Sequence, residues 1–308
     1  MGIGLAAASG AARVAGNQTG GRAPDHTESI TMGRMQAPVP SSPAPILVGI
    51  GGWQYAPWRG SFYPKGLPQK EELAHASRQL SLIEINSSYY RTPSRSSFTA
   101  WQAATPPGFV FSIKAPRSIV QQRMLRHTEV AVTEFLQSGL AEMGDKLGPI
   151  VWQFGPYKSF DPEDLPGFLA LLPRTLDGLP LRHVLEVRHA SFLNPAFLAL
   201  IREHGVSVVG TDSDEHPSFF DVSGELVYLR LMRGLSEEPA GYSPQALADW
   251  QQHAHRWASG EEPAGLPRIE GAPPAAAMAR PVYVLFINGA KERAPAAAQA
   301  LLQRLHPA

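Results

Sequence analysis

The sequence predicts an α/β protein of the TIM-like (β/α)8 barrel class, a single domain over residues 46–308. Three observations predict it. Eight short apolar runs alternate with segments whose apolar residues recur at helical spacing, the pattern of parallel strands joined by crossover helices. The alternating region covers roughly 260 residues, the usual size of such a barrel. Charged and amide residues gather at the carboxyl ends of the runs, where barrels build their sites. An open doubly wound sheet would show the same alternation, but the count of eight and the lack of a Gly-x-Gly-x-x-Gly turn favour the barrel.

The elements follow in order. Ile46-Leu47-Val48-Gly49-Ile50-Gly51 is a buried strand closed by glycines. An aromatic loop with Trp53, Tyr55, Trp58, Phe62 and Tyr63 comes next, either a plug at the barrel end or a stacking surface for a ligand. A helix from about Pro68 carries Leu73, Ala76 and Leu80. Leu82 to Asn86 is strand two, and a helix with Phe98 and Trp101 follows Pro93. Phe109 to Lys114 is strand three, followed by a helix from about Thr128 bearing Val132, Phe135, Leu136, Leu140 and Met143. Ile150 to Phe154 is strand four, and Asp161-Pro162 starts the next helix. His183 to His189 is strand five, and Asn194-Pro195 caps a helix with Phe197, Leu198 and Ile201. Val206 to Asp212 is strand six. About a dozen residues separate it from strand seven, Leu226 to Leu231, so the intervening helix is short or missing. Ser243-Pro244 caps a helix with Leu247, Trp250, Ala254 and Trp257. Residues 259–281, rich in Gly, Pro and Ala, read as a surface insertion with no core contribution and as a possible lid. Val282 to Asn288 is strand eight, and a final helix carries Leu301, Leu302 and Leu305.

Composition narrows the function classes. Hydrophobic residues make up 44% and charged residues 18%, typical of a globular chain. Twenty-seven Lys and Arg balance 27 Asp and Glu, so no general attraction to nucleic acid or to an anionic membrane is expected. With no cysteine, disulfides and thiolate metal sites are excluded. No apolar run of about 18 residues occurs, and no membrane span is expected. Residues 1–45 read as a disordered tail without a signal peptide, with Met1, Met32 and Met35 as candidate starts, and a cytoplasmic location is expected.

The candidate site comes from strand alternation. Side chains on a strand alternate faces, and the face packed on helices should be apolar. That test turns Val184, Glu186 and Arg188 of strand five inward. It does the same for Glu84 and Asn86, Lys114, Gln153, Asp212, Tyr228 and Arg230, and Asn288. His183 falls on the outer face as packing, while His189, just past the strand, is able to turn in. Acids and bases in a barrel interior either cancel as ion pairs or form a site, and burial of pairs without a use is poor economy for stability. The reading assigns Glu186 or Glu84 as general base and Tyr228 or His189 as proton donor; Lys114 holds the anion together with Arg188 and Arg230, or alternatively acts as a catalytic amine that forms a Schiff base. Arg188, Arg230, Asn86, Gln153, Asp212, Trp53 and Asn288 bind the ligand, and Lys291 and Arg293 add cations above strand eight.

Several stretches together resemble the YecE-like family, domain of unknown function 72. They are Gly51-Gly52-Trp53 with Trp58 and Phe62-Tyr63-Pro64, Ile83 to Tyr90, Phe111 to Pro116, Gln153-Phe154, Glu186 to His189, and Tyr228 to Leu231. The resemblance spans about residues 46–305 and implies a TIM-barrel-like fold without a particular reaction. Many members carry Thr-His after the strand-three lysine, where this chain has Ile119-Val120-Gln121-Gln122; many carry His-Gly after the strand-seven arginine, where this chain has Met232-Arg233-Gly234. The usual Asn-Asn near the last strand is Asn288-Gly289. These departures mark a variant branch and count against a shared metal-centred role.

Three functions follow as expectations. The first is an enzyme acting on a small anionic or phosphorylated ligand. The second is a metal-dependent hydrolase or isomerase with Glu84, Glu186, Asp212 and His216 or His189 as ligands. The third is a non-catalytic metabolite- or nucleic-acid-binding protein that stacks its ligand on Trp53 and Tyr55. The sequence names no cofactor.

Overall fold

Alternation along eight short strands builds the centre of the molecule. The computed structural model describes residues 42–306. The strands are β1 (Ile46–Gly51), β2 (Leu82–Ile85), β3 (Val110–Lys114), β4 (Leu147–Gln153), β5 (His183–Glu186), β6 (Ser207–Thr211), β7 (Val227–Leu231) and β8 (Val282–Phe286). They close in parallel in the order β1-β8-β7-β6-β5-β4-β3-β2, the barrel expected from the sequence. Inside it lies a narrow apolar core that includes Leu82, Val151, Val184, Val209, Tyr228, Tyr283 and Leu285. Glycines 49 and 51 keep the β1 side open, since a Cβ on Gly49 would lie 1.8 Å from the Leu82 carbonyl oxygen.

The outer layer is made by α1 (Glu72–Gln79), α2 (Arg95–Ala104), α3 (Glu129–Leu136), α4 (Asp164–Ala170), α5 (Pro195–Glu203), α6 (Pro244–Ala258) and α7 (Ala294–Leu305). Their starts follow the capping signals. Ser94, Asn194 and Ser243 each accept a first-turn backbone N–H. Asp161 accepts from the backbone N–H groups of Glu163 and Asp164 at 2.8 and 3.1 Å. No helix among the described residues is long and apolar enough to cross a membrane.

Between β6 and β7 no helix forms, as the short spacing implied. An extended segment takes its place. Phe219, Phe220 and Val222 are buried in the outer core, and the Phe220 ring packs against Trp250 and Trp257 with centroids 5.7 and 6.4 Å away. Gly210 permits this, because a Cβ there would meet the Phe220 ring at 2.7 Å.

Residues 259–281 differ from the expectation of a detachable insertion. The Phe220 N–H donates to the Pro267 carbonyl at 2.9 Å, and the Ile269 N–H donates to Asp221 Oδ2 at 2.8 Å. Ile269 is buried in the core. Arg280 donates to the carbonyls of Gly224, Met278 and Ala276, and the Val227 N–H donates to Pro281. The segment therefore covers the gap left by the missing helix and returns at the amino ends of the strands, away from the end where a lid would act. The boundary of the body also lies earlier than residue 46. The Ala44 N–H donates to the Ala258 carbonyl and the Val282 N–H to the Pro45 carbonyl, each at 2.9 Å. The tail reading and the candidate starts otherwise lie outside the described residues.

If residues 259–281 complete the core, Ile269→Ala should lose about 2–4 kcal/mol in urea denaturation, the cost of a buried large-to-small change. A loss within experimental error would return the segment to a surface role.

Candidate functional site

The upper interior of the barrel is polar, and its centre is Arg230 of β7. Its Nη2 donates to Glu84 Oε1 of β2 at 3.0 Å, and its Nη1 donates to Glu186 Oε2 of β5. Glu84 also accepts from the Tyr228 hydroxyl at 2.9 Å, and that hydroxyl lies 2.6 Å from Ser112 Oγ of β3. Glu186 accepts from Gln153 Nε2 at 2.8 Å and from Arg188 Nε at 2.7 Å. Five strands are thus tied across the barrel axis.

This network decides what the acids can do. Burial alone would raise the Glu186 carboxyl, but Arg230, Arg188 and Lys114 outweigh it and hold the group down at about 2. A carboxylate so stabilised is a poor general base near neutral pH. Glu84 is fully buried and engaged by Arg230 and Tyr228. Tyr228 is itself fully buried, and burial with the neighbouring Glu84 pushes its hydroxyl well above the usual tyrosine range. Glu84, Glu186 and Tyr228, expected as base and donor, are bound to one another through Arg230 and form the floor of the site.

Above them opens a cavity of about 480 Å³. Lys114, Arg188, Arg230 and Lys291 line it, and among the described residues no Asp or Glu does. Gln54, Asn86, Gln153 and Asn288 add amides, Trp53 and Trp58 form an aromatic wall, and Tyr90 stands at the mouth. Lys114, the last residue of β3, places Nζ 4.4 Å from the centroid of the Tyr89 ring. Burial and, next, Arg230 pull its amine down from 10.5 to about 8. Lys291 lies 4.6 Å over the Tyr55 ring, and burial lowers its amine also. Loop and barrel are joined where Trp58 Nε1 donates to the Lys291 carbonyl at 2.9 Å. The aromatic loop is both core and wall: Trp58 and Tyr63 are buried, while the partly buried Trp53 meets the ligand space.

Of the residues read from the sequence, Lys114, Arg188, Arg230, Asn86, Gln153, Trp53 and Asn288 meet in this cavity. Asp212 does not. In β6 the inward places belong to Val209, opposite Tyr228, and to Thr211, opposite Arg230. Asp212 therefore points away and accepts from the Met232 N–H and the Tyr242 hydroxyl. His189 also stays outside the cavity lining, its Nδ1 accepting from the Ser191 N–H at 3.2 Å. His183 packs outward as expected: Trp152 Nε1 donates to its Nδ1 at 3.1 Å, and its Nε2 donates to the Pro173 carbonyl at 2.8 Å. Ser112, Gln54 and Tyr90 were missed. Ser112 shares the alternation of Lys114 and was legible from it; Gln54 and Tyr90 lie on loops, where alternation gives no signal.

Comparison with known proteins fits this architecture. The profile of the family described as protein of unknown function DUF72 matches residues 47–308. The chain belongs to the DUF72 family. It is 30% identical to UPF0759 protein YecE of Escherichia coli K12 over 154 residues, 48% of this chain and 50% of that protein. It is 23% identical to UPF0759 protein YunF of Bacillus subtilis 168 over 163 residues, 49% of this chain and 54% of that protein. The chain thus spans about half the length of these curated relatives. A crystal structure of a DUF72 family protein from Thermotoga maritima MSB8 superimposes with a TM-score of 0.61 at 22% identity, covering 84% of this chain and 98% of the other. That likeness shows a shared DUF72 fold.

Two outcomes test the electrostatics. Arg230→Met should destabilise by about 3–5 kcal/mol, since it leaves two buried carboxylates without their cation, and adding Glu84→Gln and Glu186→Gln should restore most of the loss in urea titrations. Lys114 has the opposite sign. Its folded pKa of about 8 lies below the unfolded value, so the charged amine costs stability below pH 8 and the cost fades as pH rises toward 10.5. Lys114→Met should then gain up to about 3 kcal/mol at pH 7, shrinking between pH 8 and 10; a variant less stable at pH 7 would show that the amine is held by attraction instead.

Proposed function

We propose that the protein is an enzyme whose cup binds a small anionic ligand, most simply a phosphorylated or carboxylated metabolite. One observation carries this reading: among the described residues, four cations and no carboxylate form the wall of the cavity. The two nearby acids are bound to Arg230, so two carboxylates stand against Arg230, Arg188 and Lys114, and Lys291 adds a further cation at the rim. The surplus is positive, and a ligand with one or two negative charges neutralises it. Arg188 turns its Nε–Nη2 edge to Glu186 Oε1 and has its remaining Nη N–H groups to offer a phosphate or carboxylate. Lys291 lies just before α7, and Ala294 at the start of that helix lines the cup. Helix N-termini favour anions, and barrels often hold phosphate beside their last strands. The volume suits a compound of metabolite size. A cytoplasmic location goes with this reading, because phosphorylated metabolites are held there.

The metal-dependent alternative draws little support from the geometry. Glu84 and Glu186 are engaged by arginine, and Asp212 and His189 face elsewhere. Among the described residues no three His, Asp or Glu side chains are grouped to hold a metal. Pure binding would use Lys114 only as a charge for the anion; the catalytic reading is preferred because an amine of lowered pKa inside a cavity suits chemistry near neutral pH.

Thermal unfolding in phosphate or pyrophosphate, against chloride at equal ionic strength, tests the reading. Saturation to 100 times Kd should add about 2.7 kcal/mol, a rise of several degrees in Tm. Arg188→Ala and Lys291→Ala should each reduce that rise while keeping the general effect of salt. An equal shift in wild type and both variants would remove the proposed anion site.

A further inference from the structure

We propose that Lys114 is a covalent catalytic residue, whose amine condenses with the carbonyl carbon of a small anionic ketone or aldehyde held by Arg188 and Lys291. The inference rests on the anionic reading of the cup and names its substrate class. It begins from a contrast within the molecule. The other buried lysine, Lys146, is fully used: its Nζ donates to the carbonyls of Gln102 and Thr105, each at 2.6 Å, and to Thr105 Oγ1 at 3.1 Å. Lys158, at the surface end of the next loop, donates to two carbonyls as well. Lys114 is as buried as these structural amines require, 9% exposed, yet its Nζ has no hydrogen bond or ion pair among the described residues. It lies over the face of Tyr89, 4.4 Å from the ring centroid.

The reason is the clamp below. Glu84 and Glu186 would be the natural partners of an inward lysine, and Arg230 takes both. The amine is left pointing into the cavity from the last residue of a barrel strand, a rigid mount. A lysine that served only as a point charge would be better charged at every neutral pH. This one is held where its lone pair is accessible. With the amine lowered to about 8, roughly a tenth is unprotonated at pH 7, about 300-fold more than for an ordinary lysine.

The chemistry balances without a cofactor. The Nζ lone pair forms a bond to the carbonyl carbon, and the carbonyl π pair moves to oxygen. The carbinolamine then loses that oxygen as water, taking its two protons from the amine and leaving a carbon–nitrogen double bond. The iminium form withdraws electrons from the adjacent carbon. Arg188 and Lys291 hold the acid group and fix which carbon is presented.

The full chain is incubated with glyoxylate, pyruvate or dihydroxyacetone phosphate, reduced with sodium borohydride, and mapped by peptide mass. Hydride adds to the imine carbon and a proton to nitrogen, so the adduct is permanent. Labelling should concentrate on Lys114, roughly tenfold or more above the exposed Lys65 and Lys70, and inorganic phosphate should suppress it. Lys114→Arg should abolish that adduct while keeping the Tm rise with phosphate. If Lys114 stays unlabelled by all three compounds, or labels no more than Lys65 and Lys70, and the phosphate shift persists, the amine is a charge for the anion and the covalent role is overturned while the anion site stands. If the phosphate shift is missing too, both readings fall.

Discussion

The position of one guanidinium governs this molecule. Arg230 enters the barrel from β7 and is gripped by carboxylates from β2 and β5 on nearly opposite parts of the ring. Removed from water, none of these three charges would be tolerable alone; together, with Tyr228, Gln153 and Arg188 completing their hydrogen bonds, they form a satisfied layer between the apolar interior and the open cup. The arrangement leaves little slack, for each acid is committed and the Arg230 Nε is buried without a partner. The layer fixes the floor of the site and determines which charges remain free above it.

What remains free is positive. A clamp that commits both acids to Arg230, with Arg188 also paired to Glu186, strands Lys114 and leaves Lys291 unpaired at the cavity among the described residues. The protein carries this imbalance at a cost, visible in the lowered amine of Lys114. Natural cores rarely keep such a cost without a use, because replacing a buried polar group with a well-packed apolar one is often neutral or stabilising. The same pairing that completes the layer therefore leaves the described wall of the cup lined by cations.

The two ends of the barrel divide their labour. At the carboxyl end, loops after β1, β2 and β8 bring Trp53, Asn86, Asn288 and Lys291 to the cavity wall. At the amino end, the segment after α6 runs beneath the barrel and closes the gap left by the absent β6–β7 helix, with Ile269 and Arg280 as its anchors. A Pro- and Ala-rich stretch can do this because, besides the Ile269 side chain, its backbone carbonyls accept from the guanidinium groups of Arg202 and Arg280.

Strand alternation is a local rule, and in strands whose polar residues share one face the sequence was sufficient. The period of two within His183–Glu186 and Val227–Leu231 is enough to place Glu186, Tyr228 and Arg230 inside, and eight such runs imply the closed ring. In β6 the rule held but its phase was not legible, because Val208 and Val209 put an apolar residue on both faces. Asp212 follows Thr211, which already holds the inward place, and His189 bends into its own turn, so neither reaches the cup. The sequence likewise marked residues 259–281 as irregular without showing that they cover β6. It determined which side chains enter the barrel, because that depends on neighbours along the chain. Only the tertiary structure decided which charges pair and which stay unpaired, because Glu84, Lys114, Glu186 and Arg230 meet across the barrel and compete there for the same few partners.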